Sequence, residues 1–451
     1  MKRELVTASS PGPAVGVSSM DRTLLRQGSG QGWSLGTAKS DRRLERSRIL
    51  RELRAQLHDA GYTADTLRRL LNITSPDDVG ALNHTPTLER LHDERSAAAT
   101  LIRLFFLETA QPARRVDALL SRATAEALCR IGLLQRRGDK LSSRLRIDPI
   151  GEQYFLSDRR FRGYERTALR LGGKDPVYPP SSDSVMLRDV VSAPAGALML
   201  DLCTGTGVQA VQQAAAVRSA IAVDINPRAV ALARHNAALN GVEHIEVRLG
   251  NGYAPVRGAQ FDLITANPPF VSSPYAQGPS YHAGGATGDR VLRRIIAGWG
   301  RHLRPDGRGF AVSHVALRAG QTLADVAAGW FRGFAGRALV LVVAAGSPVD
   351  LAAAQSLFAL DRGLAAYARE VQHWLTYLRR HRIREIAAVL VAAERREPRG
   401  VDVIDAQPRV LPLPLTAPPA QRIADWLGPA ASVPAARSPL HHQTARSKRN
   451  A

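Results

Sequence analysis

Residues 197–210, ALMLDLCTGTGVQA, decide the fold. The apolar first half is typical of a buried β-strand, and the second half is a glycine-rich turn that opens a helix. A side chain at Gly205 or Gly207 would occupy the volume of a closely approaching ligand. The free N–H groups of the helix could hold pyrophosphate, as in a dinucleotide site, whereas Asp201 suits a ligand that carries an ammonium group. We therefore expect a nucleotide-type cofactor at Asp201, Thr204, Gly205 and Gly207.

Strand-like and helical patterns alternate on both sides of this stretch, from about residue 171 to residue 397, which predicts a parallel α/β sheet. Seven strands are expected, at residues 197–202, 220–224, 244–249, 261–266, 309–314, 338–343 and 386–392. With helices between them, they fit a doubly wound, Rossmann-like sheet. Ligand sites of such sheets lie at the carboxyl ends of the strands, so the residues that follow each strand are the candidates for the site.

Two polar residues follow the second and third strands. Asp224 stands roughly twenty residues after the glycines, where a carboxylate can accept hydrogen bonds from both ribose hydroxyls; the alternative is a solvated loop acid. Asn251 could bind an adenine edge, because its amide offers a donor and an acceptor. It could equally be a turn residue with a left-handed backbone preference.

The fourth strand leads into Asn267-Pro268-Pro269-Phe270. Two prolines remove two N–H donors and fix φ, which leaves carbonyl oxygens free to point into a site. The Asn267 side-chain oxygen and the Pro268 carbonyl could accept two N–H bonds from an amide or amino group and localise its lone pair. Phe270 offers a flat surface for a planar group. We expect this segment to be the catalytic one, in preference to a proline-rich loop without function.

The pieces DLCTGTG, VDIN and NPPF, in this order, resemble the class I S-adenosylmethionine-dependent methyltransferases of the amino-methylating branch. These include the release-factor glutamine and ribosomal RNA guanine N-methyltransferases. The resemblance covers about residues 175–395 and implies S-adenosylmethionine as the cofactor. It implies that Asp201, Gly205 and Gly207 line the methionine and ribose moieties and that Asp224 binds ribose. It also implies that residues 267–270 bind the acceptor nitrogen.

Downstream, YHAGGATGDRVLRRII resembles the Gly-Gly-x-x-Gly segment of the release-factor glutamine methyltransferases. Three positions depart from that pattern. Cys203 takes the place of the first glycine of the cofactor turn, Asn251 replaces the acid on the adenine side, and Phe270 stands where Tyr is common. The acceptor class therefore stays open between a protein glutamine and an RNA base.

The rest of the chain divides into three expected parts. Residues 1–40 are rich in Gly, Ser and Pro, and we expect a disordered leader. Residues 41–170 read as several helices followed by a β-hairpin around a Gly-Asp turn, which predicts a winged-helix-like domain. Because its third helix carries only Arg122 and Arg130, a substrate-covering or dimerisation role is favoured over nucleic-acid binding. Residues 398–451 read as a Pro-rich and then basic tail.

The formal net charge is +21, from 61 Lys and Arg against 40 Asp and Glu, which favours an anionic partner such as RNA. The arginine-rich composition of a GC-rich coding sequence is the alternative. The two cysteines, Cys129 and Cys203, lie far apart, so we expect no disulfide and a cytoplasmic location. No secretory signal, membrane span or metal-ligand spacing is expected.

Three functions fit these patterns. The first is an N-methyltransferase acting on a macromolecule of translation, either a protein glutamine or an RNA exocyclic amine. The second is a small-molecule N-methyltransferase for a guanidino or amide nitrogen, for which the N-terminal domain would serve as a dimerisation module. The third is an inactive binding protein built on the same fold, although such a protein has no need of an intact NPPF segment.

Overall fold

The computed structural model describes residues 40–80, 83–160, 175–275, 284–397, 399–405 and 419–427. The expected leader, up to residue 39, and residues 281–283 of the Gly-Gly-x-x-Gly segment lie outside the described residues, as does most of the expected tail. No helix in the described part of the chain is long and apolar enough to cross a membrane. Cys129 and Cys203 are free thiols.

The N-terminal region is mostly helical, as predicted. Its helices are α1 (Ser40–Asp59), α2 (Ala64–Leu71), α3 (His84–Glu89), α4 (Ala97–Leu101), α5 (Ala113–Leu119) and α6 (Arg122–Arg130). A π-helical turn, Ile102–Phe106, continues α4. Its strands are β1 (Gln111–Pro112), β2 (Leu134–Arg137), β3 (Lys140–Ser143), β4 (Arg146–Ile150) and β5 (Gln153–Ser157). Thr63 caps α2 through a hydrogen bond from the Thr66 amide, 3.2 Å long.

Helices α4 to α6 and the antiparallel sheet β1-β3-β2 form the expected winged-helix-like unit. The prediction of a single hairpin after α6 was wrong, because the region contains two. Strands β2 and β3 turn at Gly138, and β4 and β5 turn at Gly151, each glycine with φ of 57°. The third helix, α6, packs against α1, where the Gln56 amide donates to the Thr124 hydroxyl at 3.2 Å.

The large sheet has eight strands in the order β13-β11-β12-β10-β9-β6-β7-β8. They are β6 (Ala197–Leu202), β7 (Val217–Asp224), β8 (Ile245–Leu249), β9 (Phe261–Ala266), β10 (Leu303–Arg318), β11 (Arg337–Gly346), β12 (Ile383–Glu394) and β13 (Gly400–Asp405). Strand β12 is antiparallel to both of its neighbours, and the other pairs are parallel. The predicted Rossmann-like architecture is confirmed, but the predicted number of seven strands is wrong.

The eighth strand, β13, lies in the segment that the sequence assigned to the tail. It pairs in parallel with β11, with Val403 opposite Val340. Its sequence, GVDVID, contains two aspartates and follows a proline-containing stretch, so it does not read as a buried strand. The methyltransferase-type sheet therefore extends past residue 397, where we expected it to end.

Helices cover both faces of the sheet, as a doubly wound fold requires. They are α7 (Ser182–Val190), α8 (Val208–Gln212), α9 (Pro227–Leu239), α10 (Arg290–His302), α11 (Leu323–Trp330), α12 (Pro348–Ser356), α13 (Leu364–Arg380) and α14 (Pro419–Leu427). One apolar core packs α10 and α11 against the sheet, and a second packs α7, α9 and α14. Helix α14 also lies in the expected tail, and its buried Ile423 and Leu427 belong to the second core.

Strand β5 of the N-terminal region is attached to helix α9 by two buried asparagines. Asn236 accepts from the Leu156 amide at 2.7 Å and donates to the Leu156 carbonyl at 2.9 Å. Asn240 makes the equivalent pair with Tyr154, at 3.0 and 2.8 Å. Because each side chain satisfies both backbone groups of a strand residue, it extends β5 as a neighbouring strand would.

Candidate active site

The carboxyl ends of β6, β7, β8 and β9 meet at one edge of the sheet. In the parallel register Leu202 lies opposite Ala266, and Asp224 lies opposite Leu249. The glycine-rich turn, Asp224, Asn251 and Asn267 follow these strand ends and therefore share that edge, as the sequence predicts.

The glycine-rich turn after β6 contains three residues with a left-handed backbone conformation: Cys203 (φ 57°), Gly205 (φ 55°) and Gly207 (φ 81°). Among the described residues, a Cβ atom built on Gly205 would meet no atom closer than 4.0 Å, so in this part of the structure the glycine borders open space. A Cβ atom on Gly207 would instead lie 3.1 Å from the Cβ of Ala233 on α9. The expectation that Gly207 clears room for a ligand was wrong, since its space is filled by helix packing.

Cys203 occupies a backbone conformation that favours glycine, which explains why glycine is the residue expected at this position in the resembling enzymes. Its side chain is half-buried and packs against the core under the sheet. Burial, together with the carboxylates of Asp224 and Asp201, raises the pKa of the thiol. The cysteine therefore acts as a small apolar residue and offers no thiolate.

Asp201 is buried beneath the turn, with 1% of its surface exposed. Its two oxygens accept hydrogen bonds from the Thr204 hydroxyl at 2.5 Å and the Thr265 hydroxyl at 2.8 Å. Burial raises the pKa of its carboxyl to about 6. We expected Asp201 to meet an ammonium group directly, and this geometry corrects that expectation: Asp201 and Thr204 hold the turn in place from below.

Asp224 lies at the tip of β7, half-buried, and faces the turn. One carboxylate oxygen accepts from the Gly205 amide and the other from the Asn226 amide, both at 2.9 Å. Burial raises the pKa of the carboxyl, and the Asp175 charge adds to the effect. Each oxygen keeps a lone pair for a further donor, such as a ribose hydroxyl.

Asn251 lies in the turn after β8 and is exposed. Its backbone carbonyl accepts from the Ala254 amide at 3.1 Å, which closes the turn. In the part of the chain that the structure describes, the side-chain amide has no hydrogen-bond partner, so its donor and acceptor are both available to a ligand. Asn251 can therefore close the turn through its backbone and still contact a ligand through its side-chain amide.

Asn267 is held by an acidic residue that the sequence did not single out. Its Nδ2 donates to Asp183 Oδ2 at 2.9 Å and approaches the Ser184 hydroxyl at 3.4 Å. Asp183 lies in the first turn of α7, where its other oxygen accepts from the Ser184 amide at 2.7 Å and from the Ser181 hydroxyl. Because a carboxylate only accepts, it fixes the orientation of the Asn267 amide, and among the described residues no donor reaches Oδ1.

Pro268 is buried and Pro269 is half-buried behind Asn267. The Phe270 ring lies against the His314 imidazole of β10, with ring centres 4.3 Å apart and a tilt of 34°. Burial lowers the pKa of His314, an effect that the Asp183 charge opposes. The imidazole is therefore neutral near pH 7, and it covers part of the Phe270 surface that we expected to be open.

The Gly-Gly-x-x-Gly segment packs directly on the backbone that leaves the NPPF segment. A Cβ atom on Gly284 would lie 2.6 Å from the Phe270 carbonyl carbon, and one on Gly288 would lie 2.5 Å from the Phe270 carbonyl oxygen. Any side chain at these two positions would displace Phe270. The described part of the segment therefore supports the shape of the acceptor side of the site.

Helices α12 and α13, inserted between β11 and β12, also reach the NPPF segment. Trp374 and Leu375 of α13 pack in one apolar cluster with Phe270 and Val271. Glu370 accepts hydrogen bonds from the Trp374 indole, at 3.0 Å, and from the Tyr275 hydroxyl. The sequence did not indicate this contact of α13 with the site.

Two residues of this site, Asp183 and His314, were missed by sequence reasoning. Asp183 lies 84 positions before Asn267, and His314 reads as an ordinary member of an alternating strand. Neither forms a local motif, because Asp183 reaches Asn267 from α7 and His314 lies on β10, the strand that pairs in parallel with β9.

Residues 182–330 match the family described as Methyltransferase small domain. Residues 59–144, which contain the winged-helix-like unit, match a domain of unknown function, DUF7059.

The chain is similar to known proteins, among them the following two curated proteins and one solved structure. The release factor glutamine methyltransferase of Gloeobacter violaceus is 31% identical over 220 residues, which cover 43% of this chain and 75% of that protein. The ribosomal protein uL3 glutamine methyltransferase of Bradyrhizobium diazoefficiens is 36% identical over 121 residues, 24% of this chain and 38% of that protein. A 16S rRNA N2 G1207 methyltransferase of T. thermophilus, solved with AdoMet and guanosine, is 16% identical with a TM-score of 0.31, and the match covers 64% of each chain.

Proposed function

The chain belongs to the S-adenosylmethionine-dependent methyltransferase family that includes the release factor glutamine methyltransferases, and from this premise we propose that it methylates a planar nitrogen of a translation macromolecule. The observation that carries the proposal is the Asn267 amide, which Asp183 orients at the end of β9. Its free Oδ1 and the Pro268 carbonyl form a pair of acceptors suited to an N–H donor pair. Glutamine amides and the exocyclic amines of RNA bases both present such a pair.

The residues at the edge of β6, β7 and β8 fit S-adenosylmethionine. Gly205 borders open space beside the turn, and the Asp224 carboxylate keeps lone pairs for the ribose hydroxyls. Asn251 presents a side-chain amide, without a partner among the described residues, that can meet the adenine edge. When bound, the cofactor supplies an activated methyl group on a sulfonium. Asp201 and Thr204 support the turn and make no direct contact in this proposal.

On the acceptor side, the protein orients the acceptor nitrogen and places no additional positive charge beside the sulfonium. Hydrogen bonds to Asn267 Oδ1 and the Pro268 carbonyl localise the nitrogen lone pair and direct it at the methyl group. With the cofactor bound, the acceptor nitrogen would take the methyl group and its proton would pass to water. His314, neutral beside Phe270, adds no positive charge next to the sulfonium.

The names of the two curated relatives support a protein glutamine as the acceptor. The net charge of +21 supports an RNA base as the second candidate, because RNA is the polyanion of the translation apparatus. A small-molecule acceptor and an inactive binding protein have no comparable observation in their favour. The proposed role of the winged-helix-like unit is to shape the substrate side of the enzyme, since α6 packs inward on α1.

The experiment that tests the proposal is incubation of the full chain with methyl-labelled S-adenosylmethionine and a lysate of a GC-rich bacterium. The lysate is then separated into RNA, protein and small-molecule fractions. We expect the label in the RNA or the protein fraction, bound to nitrogen and stable to mild base. Label in the small-molecule fraction alone, or a labelled ester, would overturn the proposal.

A further inference from the structure

A basic cleft lies beyond the acceptor side of the site, where β10 ends and β12 begins. It is open, has a volume of about 330 Å³, and is lined by Arg318, Ala319, Gln321, Arg380, His381 and Arg382. A hydrogen bond from the Ala319 amide to the Arg382 carbonyl, 2.9 Å long, joins its two walls. This pairing keeps the end of α13 beside the end of β10.

The three arginines of the basic cleft carry uncompensated charge. Arg318, Arg380 and Arg382 are exposed, and across the described ranges none of their guanidinium groups meets a carboxylate or an acceptor. Elsewhere the arginines are often paired, as Arg337 is with Glu394 at 2.8 Å. Like charges that converge on one concavity repel each other unless an anion is present, so the arrangement favours an anionic ligand.

The backbone conformation of Arg382 is a second feature that favours an anionic ligand in the basic cleft. This residue adopts φ of 58°, a left-handed conformation that is uncommon for a residue other than glycine, asparagine or aspartate. An asparagine or a glycine would make the turn between α13 and β12 without strain. The position instead carries a long cation that faces the basic cleft.

The basic cleft belongs to the same end of the molecule as the NPPF segment. His314, which contacts Phe270, stands four residues before Arg318 on β10, a distance of roughly 13 Å along an extended strand. Trp374, in the apolar cluster with Phe270, stands six residues before Arg380 on α13, about 9 Å along the helix. The spacing between Phe270 and the basic cleft is therefore short enough for one extended substrate to contact both.

We propose that the basic cleft binds backbone phosphates of an RNA strand whose acceptor base lies at Phe270. This inference rests on the proposed function and narrows its acceptor to RNA. A base splayed out of its strand brings neighbouring phosphates past the mouth of the pocket, whatever the sequence. Arginine forks match phosphate oxygens, and the net charge of +21 attracts a polyanion from a distance. A protein substrate, by contrast, would bind the basic cleft only if its sequence placed carboxylates at this one distance from the acceptor residue.

The test compares two full-length variants that each lose three positive charges. One is Arg318→Gln/Arg380→Gln/Arg382→Gln, in the basic cleft. The matched control is Arg218→Gln/Arg257→Gln/Arg301→Gln, at exposed positions that precede or start strands at the opposite edge of the sheet. Binding of a fluorescent single-stranded RNA of about 16 nucleotides is measured by anisotropy between about 50 and 200 mM salt.

For the cleft variant we expect weaker RNA binding and a slope of log affinity against log salt that is smaller by about 2 than that of the wild type. The control variant should change the slope by much less, and both variants should bind S-adenosylmethionine like the wild type. Equal slopes for the cleft variant and the wild type would overturn the inference. Nitrogen-bound label in the protein fraction alone would leave the proposed function standing and overturn this inference. Absence of label from every macromolecular fraction would instead count against the proposed function.

Discussion

At the scale of single residues, the contact between Asp183 and Asn267 orients the site. Replacing Asp183 by Asn gives the Asn267 amide a partner that can donate as well as accept, so the amide is free to turn its Oδ1 away from the acceptor. We expect kcat to fall about 100-fold, because a small misplacement of an orienting group is costly, with little change in S-adenosylmethionine affinity.

The matched control is Asp189→Asn, an exposed position on the same helix, which should leave kcat close to that of the wild type. Equal kcat values for the Asp183 and Asp189 variants would show that Asp183 does not orient the site.

Asp201 gives a prediction about stability and pH. Burial raises the pKa of its carboxyl from the ordinary 3.8 to about 6, so the folded state holds this proton more tightly than the unfolded chain does. The contribution of Asp201 to stability is therefore fully present below about pH 4 and is lost as pH rises through about 6. In the absence of cofactor, Asp201→Asn should gain up to about 3 kcal/mol relative to the wild type between those limits.

The measurement is urea unfolding of wild type and Asp201→Asn at a series of pH values. The difference between the two proteins isolates Asp201, because their other groups titrate alike. A difference that does not vary with pH would contradict the raised pKa.

At the residue scale, the sequence located the site residues but not the contacts between them. Asp224 and Asn251 stand at strand ends in the expected places, because the end of a parallel strand can be read from the chain. The packing role of Gly207 depends on Ala233, and the contact of Phe270 with His314 depends on β10. Such pairs lie far apart in sequence and have no local pattern.

At the scale of elements, helix α13 supports the acceptor side through Trp374, which is 2% exposed. Trp374→Ala should remove its packing on the Phe270 cluster and its hydrogen bond to Glu370. We expect the free energy of unfolding to fall by about 3 kcal/mol and kcat to fall as well, since Phe270 loses its support. Unfolding curves and steady-state rates measure the two effects.

Trp374→Phe is the control for this element, because it keeps an aromatic ring and loses the indole N–H. It should recover most of the stability. If Trp374→Ala lowers stability while kcat is unchanged, α13 supports the fold and not the acceptor site.

The seven expected strands all occur, because alternation and buried apolar runs mark them in the sequence. Strand β13 and helix α14 were missed because no such pattern marks them in the sequence. They lie in a Pro-rich stretch, and β13 carries two aspartates, so only its pairing with β11 identifies it as part of the sheet. Element ends were less accurate: β10 runs from Leu303 to Arg318, well beyond the expected 309–314.

At the scale of the whole molecule, Asn236 connects the N-terminal region to the cofactor turn. Besides its two bonds to Leu156, it donates to the Thr206 carbonyl at 2.8 Å. Asn236→Ala leaves three buried backbone groups without a partner, which should lower the free energy of unfolding by about 3 kcal/mol and weaken cofactor binding.

Urea unfolding and calorimetric titration with S-adenosylmethionine measure these effects. Glu243→Ala, exposed in the loop after α9, is the control and should change neither quantity. A variant at Asn236 that retains wild-type cofactor affinity would show that the N-terminal region and the turn are independent.

The central claim is that Asn267 and its neighbours direct methyl transfer to nitrogen. The most direct measurement is the single-turnover rate of labelled methyl transfer by wild type and Asn267→Ala into the labelled macromolecular fraction, with cofactor affinity measured on the same samples. We expect a rate at least ~100-fold lower for the variant, with cofactor affinity within about twofold of the wild type. Transfer by Asn267→Ala at the wild-type rate would contradict it.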